Sequence, residues 1–133
     1  MAYKTYLVED SPLIRENLAG FLEEVADAQV VASAATEGDA VAWLRSHRDG
    51  WDLAVVDLFL LQGNGFGVIK ACRERRSDQK VVVLSNYATN DMRKRSEALG
   101  ADAFFDKSAE LEQFLAWCEA EMPTLARTAN RTH

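Results

Sequence analysis

Five side chains that could bind a metal or take part in a reaction each follow a short apolar run in this sequence. They are Glu9, Asp10, Asp57, Ser85 and Lys107. Such runs are typical of strands buried in a parallel sheet, and α/β proteins carry their chemistry beyond the carboxyl ends of these strands. An isolated Asp57 would more often cap a turn. The recurrence of reactive residues after four different runs favours a shared site instead.

The chemistry that this set could perform is the acceptance of a phosphoryl group. Three carboxylates held close together repel one another, and a hard divalent cation such as Mg²⁺ relieves that repulsion. Lys107 adds a positive charge that can pair with Asp57 or with a phosphoryl group, and Ser85 offers a hydroxyl donor. A metal ion, an ammonium and a hydroxyl around one carboxylate are what an aspartyl nucleophile needs. The alternative is an ion-pair cluster that only closes the end of the sheet.

Hydrophobic periodicity assigns these residues to the ends of strands that alternate with helices. Strands are predicted at 5–8, 29–34, 52–57, 80–84 and 103–105, and helices at 12–25, 39–47, 65–75, 90–100 and 111–122. Ser11 followed by Pro12 predicts the start of the first helix, while Asn90 and Gly100 predict the cap and the end of the fourth. The expected apolar face of the first helix is Ile14, Leu18, Phe21, Leu22 and Val25.

Five strands alternating with five helices predict an α/β fold. The expected architecture is a flavodoxin-like, doubly wound three-layer sandwich with right-handed crossovers and a parallel sheet in the order 2-1-3-4-5. In that order the ends of strands 1, 3, 4 and 5 are neighbours. Strand 2 lies at the edge, and it is the strand that no reactive residue follows. The strand order therefore predicts that the five side chains converge.

The composition indicates one domain that acts in the cytoplasm. A chain of 133 residues can bury a single core, and its formal net charge of −6 argues against a nucleic-acid-binding surface. We expect no membrane contact, because the sequence shows neither a signal peptide nor an apolar run of spanning length. Cys72 and Cys118 lie on apolar helical faces, which predicts buried, reduced thiols. His47 and His133 have no spacing typical of a zinc site.

With these residues in this order, the sequence resembles the receiver domain of bacterial two-component response regulators. The resemblance covers about Lys4 to Met122 and includes Gly65, eight residues after Asp57. It implies a receiver domain over 1–122, followed by a short polar tail over 123–133. It also implies a signalling protein rather than an enzyme, one that at most phosphorylates and dephosphorylates itself.

The resemblance also implies roles for single residues. Asp57 would accept phosphate from a sensor histidine kinase or a phosphotransfer protein, with Ser85 and Lys107 assisting. Mg²⁺ would be the cofactor, and its implied ligands are Asp10, Asp57, the main-chain carbonyl of Phe59 and, through water, Glu9. Ser85 and Phe104 are the implied switch residues. Helix 4, strand 5 and helix 5 would form the output face, which binds a downstream protein.

The sequence departs from the family pattern around the predicted site. Leu61 and Ser108 stand where the family often has proline, and the proline at the second position often follows a cis bond. Asn86 stands where the family usually has a small residue. We predict that Asn86, together with Phe59, narrows access to Asp57 and slows both small phosphodonors and hydrolysing water.

Other interpretations of the same residues remain open. A small Mg²⁺-dependent phosphatase or phosphotransferase would use the same nucleophile, but Phe59 stands where its general acid is expected, two residues after Asp57. A flavodoxin-like cofactor binder would need phosphate-binding glycines after strand 1, where this sequence is acidic. A degenerate receiver that switches without phosphate is a further alternative.

Since the chain ends soon after the last helix, we expect a stand-alone receiver or one excised from a longer regulator. Arg93-Lys94-Arg95 is either a docking patch for an acidic partner or a solvated helix face.

Overall fold

The computed structural model describes residues 3–122 and consists of a β-sheet between two layers of helices. The strands are β1 (Tyr3–Val8), β2 (Ala28–Ala34), β3 (Leu53–Val56), β4 (Lys80–Ser85) and β5 (Ala103–Asp106). The helices are α1 (Pro12–Val25), α2 (Glu37–Ser46), α3 (Gly65–Ala71), α4 (Asn90–Ala98) and α5 (Leu111–Glu121). Among these described residues, no helix is both long and apolar enough to cross a membrane. The predicted tail over 123–133 lies outside the described residues.

The sheet has the order β2-β1-β3-β4-β5, and its strand pairs are parallel. Val8 at the end of β1 lies beside Val56 at the end of β3, and Val56 lies beside Val83 in β4. Ser85, the last residue of β4, lies beside Asp106 at the end of β5. The predicted fold and strand order are confirmed, and the carboxyl ends of four neighbouring strands meet at one edge.

Each face of the sheet buries its own apolar layer. One layer packs against α1 and α5 and includes Leu22 and Phe114. The other packs against α2 and α3 and includes Leu44 and Ile69. Since β3 and residues 81–84 of β4 are buried, their sequences are apolar without alternation. Burial of one large apolar side chain contributes about 1.5–3 kcal/mol, so the two layers hold the central strands firmly.

The starts of two helices differ from the prediction, α2 in its first residue and α4 in its capping residue. α2 begins at Glu37, two residues before the predicted start, because the hydroxyl of Thr36 accepts a hydrogen bond from the amide of Asp39 at 3.1 Å. α4 is capped by Thr89 rather than by Asn90, and the hydroxyl of Thr89 accepts a hydrogen bond from the first turn at 3.2 Å. Both residue types cap helices well, so the sequence alone does not choose between neighbours.

α3 is shorter than predicted and ends at Ala71. The guanidinium of Arg75 donates hydrogen bonds to the carbonyls of Cys72 at 2.8 Å and Gln79 at 2.9 Å. A further hydrogen bond at 2.8 Å joins it to the carbonyl of Gly100. Residues 72–75, predicted as the last turn of the helix, therefore form a connection. The side chain of Arg75 bonds it to Gln79, the residue before β4.

α1 buries less of its apolar face than the periodicity predicts. Ser11 is the N-cap, as predicted, and accepts a hydrogen bond from the amide of Ile14 at 3.3 Å. Leu22 is buried, whereas Ile14 and Val25 are exposed. The helix packs chiefly against β2, the edge strand of the sheet.

The two cysteines are buried and free, as predicted. Burial raises the pKa of Cys72 to about 12 and that of Cys118 to about 11. Both side chains are therefore protonated thiols at neutral pH, and they serve as small apolar core groups rather than as nucleophiles.

Gly65 allows α3 to begin directly against the end of β3. Its amide donates a hydrogen bond to the carbonyl of Leu58 at 2.9 Å. A Cβ atom at this position would lie 2.4 Å from the carbonyl oxygen of Asp57 and 2.8 Å from the Cα of Leu58. Both are backbone atoms, so a side chain here would displace the segment that carries Asp57.

We expect Gly65→Ala to lower the free energy of unfolding by about 1–3 kcal/mol, because the added methyl group overpacks against backbone. Gly20→Ala within α1 is the matched control. A Cβ at Gly20 meets no atom within 4 Å, so the better helix propensity of alanine should raise the free energy of unfolding by about 0.5–1 kcal/mol. Chemical denaturation measures both values. Equal stability of Gly65→Ala and the wild type would contradict the close packing.

Candidate functional site

The hydrogen-bond ladder of the sheet continues one residue beyond the strands and fixes the first residues of the loops. The amide of Glu9 donates to the last carbonyl of β2 at 3.0 Å, and the amide of Asp57 donates to the carbonyl of Val8 at 3.0 Å. The amide of Lys107 donates to the carbonyl of Ser85 at 2.9 Å. These residues therefore leave the sheet at the same edge with fixed backbones.

Three carboxylates form a cluster at this edge. One oxygen from each of Glu9, Asp10 and Asp57 lies within 4.8 Å of the other two. Glu9 is 2 % exposed, Asp57 is 9 % exposed and Asp10 is half-buried. Hard oxygen donors at this density, with Asp10 partly exposed, fit a Mg²⁺ ion, which takes one or two carboxylates and keeps several waters. The sequence prediction that these residues converge agrees with the geometry.

The ammonium of Lys107 lies between two of these carboxylates. It donates a short hydrogen bond to Oε1 of Glu9 and another to Oδ2 of Asp57 at 3.0 Å. Burial disfavours the charged form of this side chain, but the hydrogen bonds and charges of the two carboxylates outweigh that effect. The pKa of Lys107 is therefore raised above its usual value. The peptide bond from Lys107 to Ser108 is trans, so the loop differs from the cis-proline pattern.

Glu9 and Asp57 differ in how many of their oxygens are already engaged. In addition to Lys107, Glu9 accepts a hydrogen bond at 3.1 Å from the amide of Ser11 through its second oxygen. Asp57 accepts only a longer contact of 3.3 Å at its second oxygen, from the amide of Phe59. Asp57 is therefore the carboxylate of this pair with an oxygen available to an incoming group.

The two predicted switch residues have well-defined partners. Ser85 is fully buried, and its hydroxyl accepts a hydrogen bond from the amide of Tyr87 at 3.2 Å. Phe104 is half-buried, and the guanidinium of Arg93 lies 5.0 Å from the centre of its ring. Arg93 also donates to the carbonyl of Phe104 at 3.0 Å and to Glu110 at 2.5 Å. The hydrogen bond from Arg93 lowers the pKa of Glu110.

These contacts change the interpretation of the basic run on α4. Arg93 holds Phe104 and Glu110, and the guanidinium of Arg95 lies 4.1 Å from the centre of the Phe66 ring. Two of the three basic side chains are therefore engaged within the domain. Sequence reasoning missed this role, because a charged run on a helix carries no signal for which side chains turn back onto the sheet.

An aromatic pair borders the site. The rings of Phe59 and Tyr87 meet edge to face with their centres 4.7 Å apart, and both residues are largely exposed. Asn86 is also exposed, and its side-chain oxygen accepts a hydrogen bond from the hydroxyl of Ser108 at 3.3 Å. The ring partner of Phe59 is thus Tyr87, whereas Asn86 is tied to the loop after Lys107. The predicted effect of Asn86 on access remains a prediction.

Comparison with known proteins identifies related sequences. The family described as the response regulator receiver domain matches residues 6–119. The photosynthetic apparatus regulatory protein RegA of Cereibacter sphaeroides is 33% identical over 107 residues, which is 80% of this chain and 56% of RegA. The acid tolerance regulatory protein ActR of Rhizobium meliloti is 33% identical over 110 residues, 83% of this chain and 55% of ActR. The chain therefore spans about half the length of these relatives.

Solved structures share the fold. A LuxR-family two-component response regulator from Aurantimonas has a TM-score of 0.76 at 24% identity, with all of both chains covered. The response regulator domain of Thermotoga maritima CheB has a TM-score of 0.78 at 18% identity, over 92% of this chain and 97% of the other. At these identities the similarity supports the fold alone.

We expect Lys107→Met to lower the free energy of unfolding by about 2–4 kcal/mol at pH 7 without divalent cations, because two buried carboxylates lose their cation. The folded-state pKa of Lys107 is raised from 10.5. Its contribution is therefore complete below about pH 10 and is lost as the pH rises through the folded-state value. Urea denaturation at several pH values measures this difference. Lys70→Met, at the exposed end of α3, should change stability little; a Lys107→Met variant as stable as the wild type would contradict the pairing.

Proposed function

The chain belongs to the response regulator receiver domain family of two-component systems, and we propose that Asp57 is its phosphoacceptor. The observation that carries this assignment is the convergence of Glu9, Asp10, Asp57 and the Lys107 ammonium at one edge of the sheet. The donor would be a histidine kinase or a phosphotransfer protein. This agrees with the family, whose members receive phosphoryl groups from such proteins.

In the proposed reaction an oxygen of Asp57 attacks the phosphorus atom of a phosphohistidine. The P–N bond breaks, the imidazole leaves with the bonding electron pair, and Asp57 becomes an acyl phosphate. Lys107 stabilises the negative charge of the phosphoryl group. Ser85 uses its hydroxyl oxygen to accept from Tyr87, so its hydrogen remains available to a phosphoryl oxygen.

Asp10, Asp57 and the carbonyl of Phe59 are the proposed direct ligands of Mg²⁺. Glu9 would contribute through water, which is consistent with the engagement of its two oxygens by Lys107 and Ser11. When bound, the cation would offset the charge of the carboxylates and of the phosphoryl oxygens. The fit rests on the chemistry of the clustered donors, all of which are oxygen.

The proposed output of phosphorylation is a change on the face formed by α4, β5 and α5, to which a downstream protein binds. A phosphoryl group adds about −1.5 to −2 charges, and it would compete with Glu9 for the ammonium of Lys107. Arg93 lies on this face and contacts Phe104. The relatives are about twice as long as the matched region, and the comparison does not test whether this domain contacts nucleic acid. The absence of direct nucleic-acid contact therefore remains a prediction.

Receiver domains are signalling proteins, and we infer that this chain at most phosphorylates and dephosphorylates itself. A phosphatase or phosphotransferase with an aspartyl nucleophile would need a general acid near Asp57. Phe59 occupies the expected position and has no proton to donate. No specific contact in residues 3–122 favours that alternative.

We expect beryllofluoride with Mg²⁺ to bind the wild-type chain and to shift the backbone amide resonances of the loops after β1, β3, β4 and β5. Asp57→Ala should abolish these shifts, because it removes the carboxylate that the beryllium must join. Asp39→Ala, which removes an exposed acid from α2, should leave them unchanged. Beryllofluoride shifts that persist in Asp57→Ala would exclude Asp57 as the acceptor, and turnover of a phosphomonoester would favour the enzyme.

We expect Asn86→Ala to accelerate hydrolysis of the phosphorylated chain, because it opens the side of the site next to Ser108. Ser108→Ala removes only the hydroxyl that bonds to Asn86 and should give a smaller acceleration. Loss of ³²P from protein labelled with a small phosphodonor measures the rates. If Asn86→Ala dephosphorylates at the wild-type rate, Asn86 does not control access.

A further inference from the structure

Glu37, the first residue of α2, contacts the loop that follows Asp57 on both sides of Gly63. Its amide donates a hydrogen bond to the carbonyl of Gln62 at 3.1 Å. Its carboxylate accepts a hydrogen bond from the amide of Asn64 at 2.9 Å. Glu37 is thus joined through backbone and side chain to a segment about 27 residues further along the chain.

Two glycines provide the space that this carboxylate occupies. A Cβ atom at Gly67 would lie 2.1 Å from Oε2 of Glu37. A Cβ atom at Gly63 would lie 2.4 Å from Cβ of Glu37 and 2.6 Å from its Oε1, and Gly63 has a φ of +77°, which disfavours other residues. The observed position of the Glu37 side chain therefore requires glycine at positions 63 and 67.

The loop between β3 and α3 also has contacts of its own, which involve Phe59 and Asn64. Leu61 stands at the position where a proline would restrict the backbone, and its side chain is 86 % exposed. Phe59 pairs with Asn64 in an isolated antiparallel bridge. Asn64 also caps α3, and its side-chain oxygen accepts a hydrogen bond from the amide of Gly67 at 3.2 Å. Asn64 is therefore the link between Glu37 and the backbone of Phe59.

The charge of Glu37 suits this position. Glu37 lies in the first turn of α2 and reaches the beginning of α3. Helix N-termini carry partial positive charge, and both stabilise a carboxylate. Glu37 is outside the group formed by Glu9, Asp10 and Asp57, so its contacts are with the loop rather than with the proposed metal site.

We propose that Glu37 is a positioning residue for phosphoryl acceptance: it holds Asn64 and, through the bridge to Phe59, presents the Phe59 carbonyl to Mg²⁺. This inference rests on the proposed function of the site. It predicts that α2 affects cation binding without touching the cation. Holding Asn64 requires an acceptor oxygen, because the partner of Glu37 is a neutral backbone amide; the negative charge of Glu37 adds only to its own stability at the helix N-termini.

The test is a titration of each variant with MgCl₂, followed by the backbone amide resonances of residues 57–65. Glu37→Ala should weaken Mg²⁺ binding by roughly three- to tenfold, the effect of losing one supporting hydrogen bond. Glu37→Gln retains an acceptor oxygen and should restore most of the affinity. Asp39→Ala removes an acid from the same turn of α2 and should bind Mg²⁺ as the wild type does.

A double-mutant cycle separates positioning from general destabilisation. Gly67→Ala alone should weaken Mg²⁺ binding, since its methyl group displaces the carboxylate of Glu37. In the Glu37→Ala background the same substitution should have little further effect, because the carboxylate is absent. Urea denaturation of each variant identifies conditions in which all of them are folded during the titration.

The outcomes distinguish this inference from the proposed function. If the wild type binds Mg²⁺, Asp57→Ala binds it weakly and Glu37→Ala equals the wild type, the positioning role is wrong while the proposed function stands. Additive effects of Glu37→Ala and Gly67→Ala would also overturn the positioning role. A wild-type chain without Mg²⁺ binding would overturn both.

Discussion

The hydrogen bonds of Lys107 to Glu9 and Asp57 are the interaction on which the carboxyl edge of this domain depends. They join residues that are 98 and 50 positions apart in the chain. A buried carboxylate without a partner is costly, so the ammonium ties the loop after β5 to the ends of β1 and β3. A phosphoryl group on Asp57 would compete for the same ammonium. Under the proposed function, phosphorylation would therefore change the contacts of the loop after β5.

The sequence predicts this convergence from two features, the ends of the buried strands and the order of the strands in the sheet. Buried parallel strands such as β3 and β4 need apolar residues on both faces, and their ends are marked by the first polar residue. Right-handed crossovers then restrict the strand order enough to bring Glu9, Asp57, Ser85 and Lys107 to one edge. Neither step requires knowledge of how a side chain is oriented.

The contacts that the sequence did not predict depend on side-chain direction across loops. Asn64 bonds to Glu37, Phe59 packs on Tyr87, and Arg93 covers Phe104. No periodic pattern encodes these pairs, since each joins a loop or helix to an element placed independently. The exposure of Ile14 and Val25 on α1 is likewise not encoded in the periodicity of that helix.

A continuous set of contacts connects the site with α4. Asp106, which precedes Lys107, donates its amide to Oε1 of Glu110 at 2.9 Å, and the same oxygen accepts from Arg93. Arg93 in turn covers the ring of Phe104. Under the proposed function, a shift of Lys107 toward a phosphoryl group would move the backbone of Asp106 and so alter the hydrogen bond from its amide to Glu110, which also accepts from Arg93. Phe104 packs against one of the two apolar layers, as does Met92 of α4. A response of α4 would therefore also act on that layer, which is close-packed and resists small displacements.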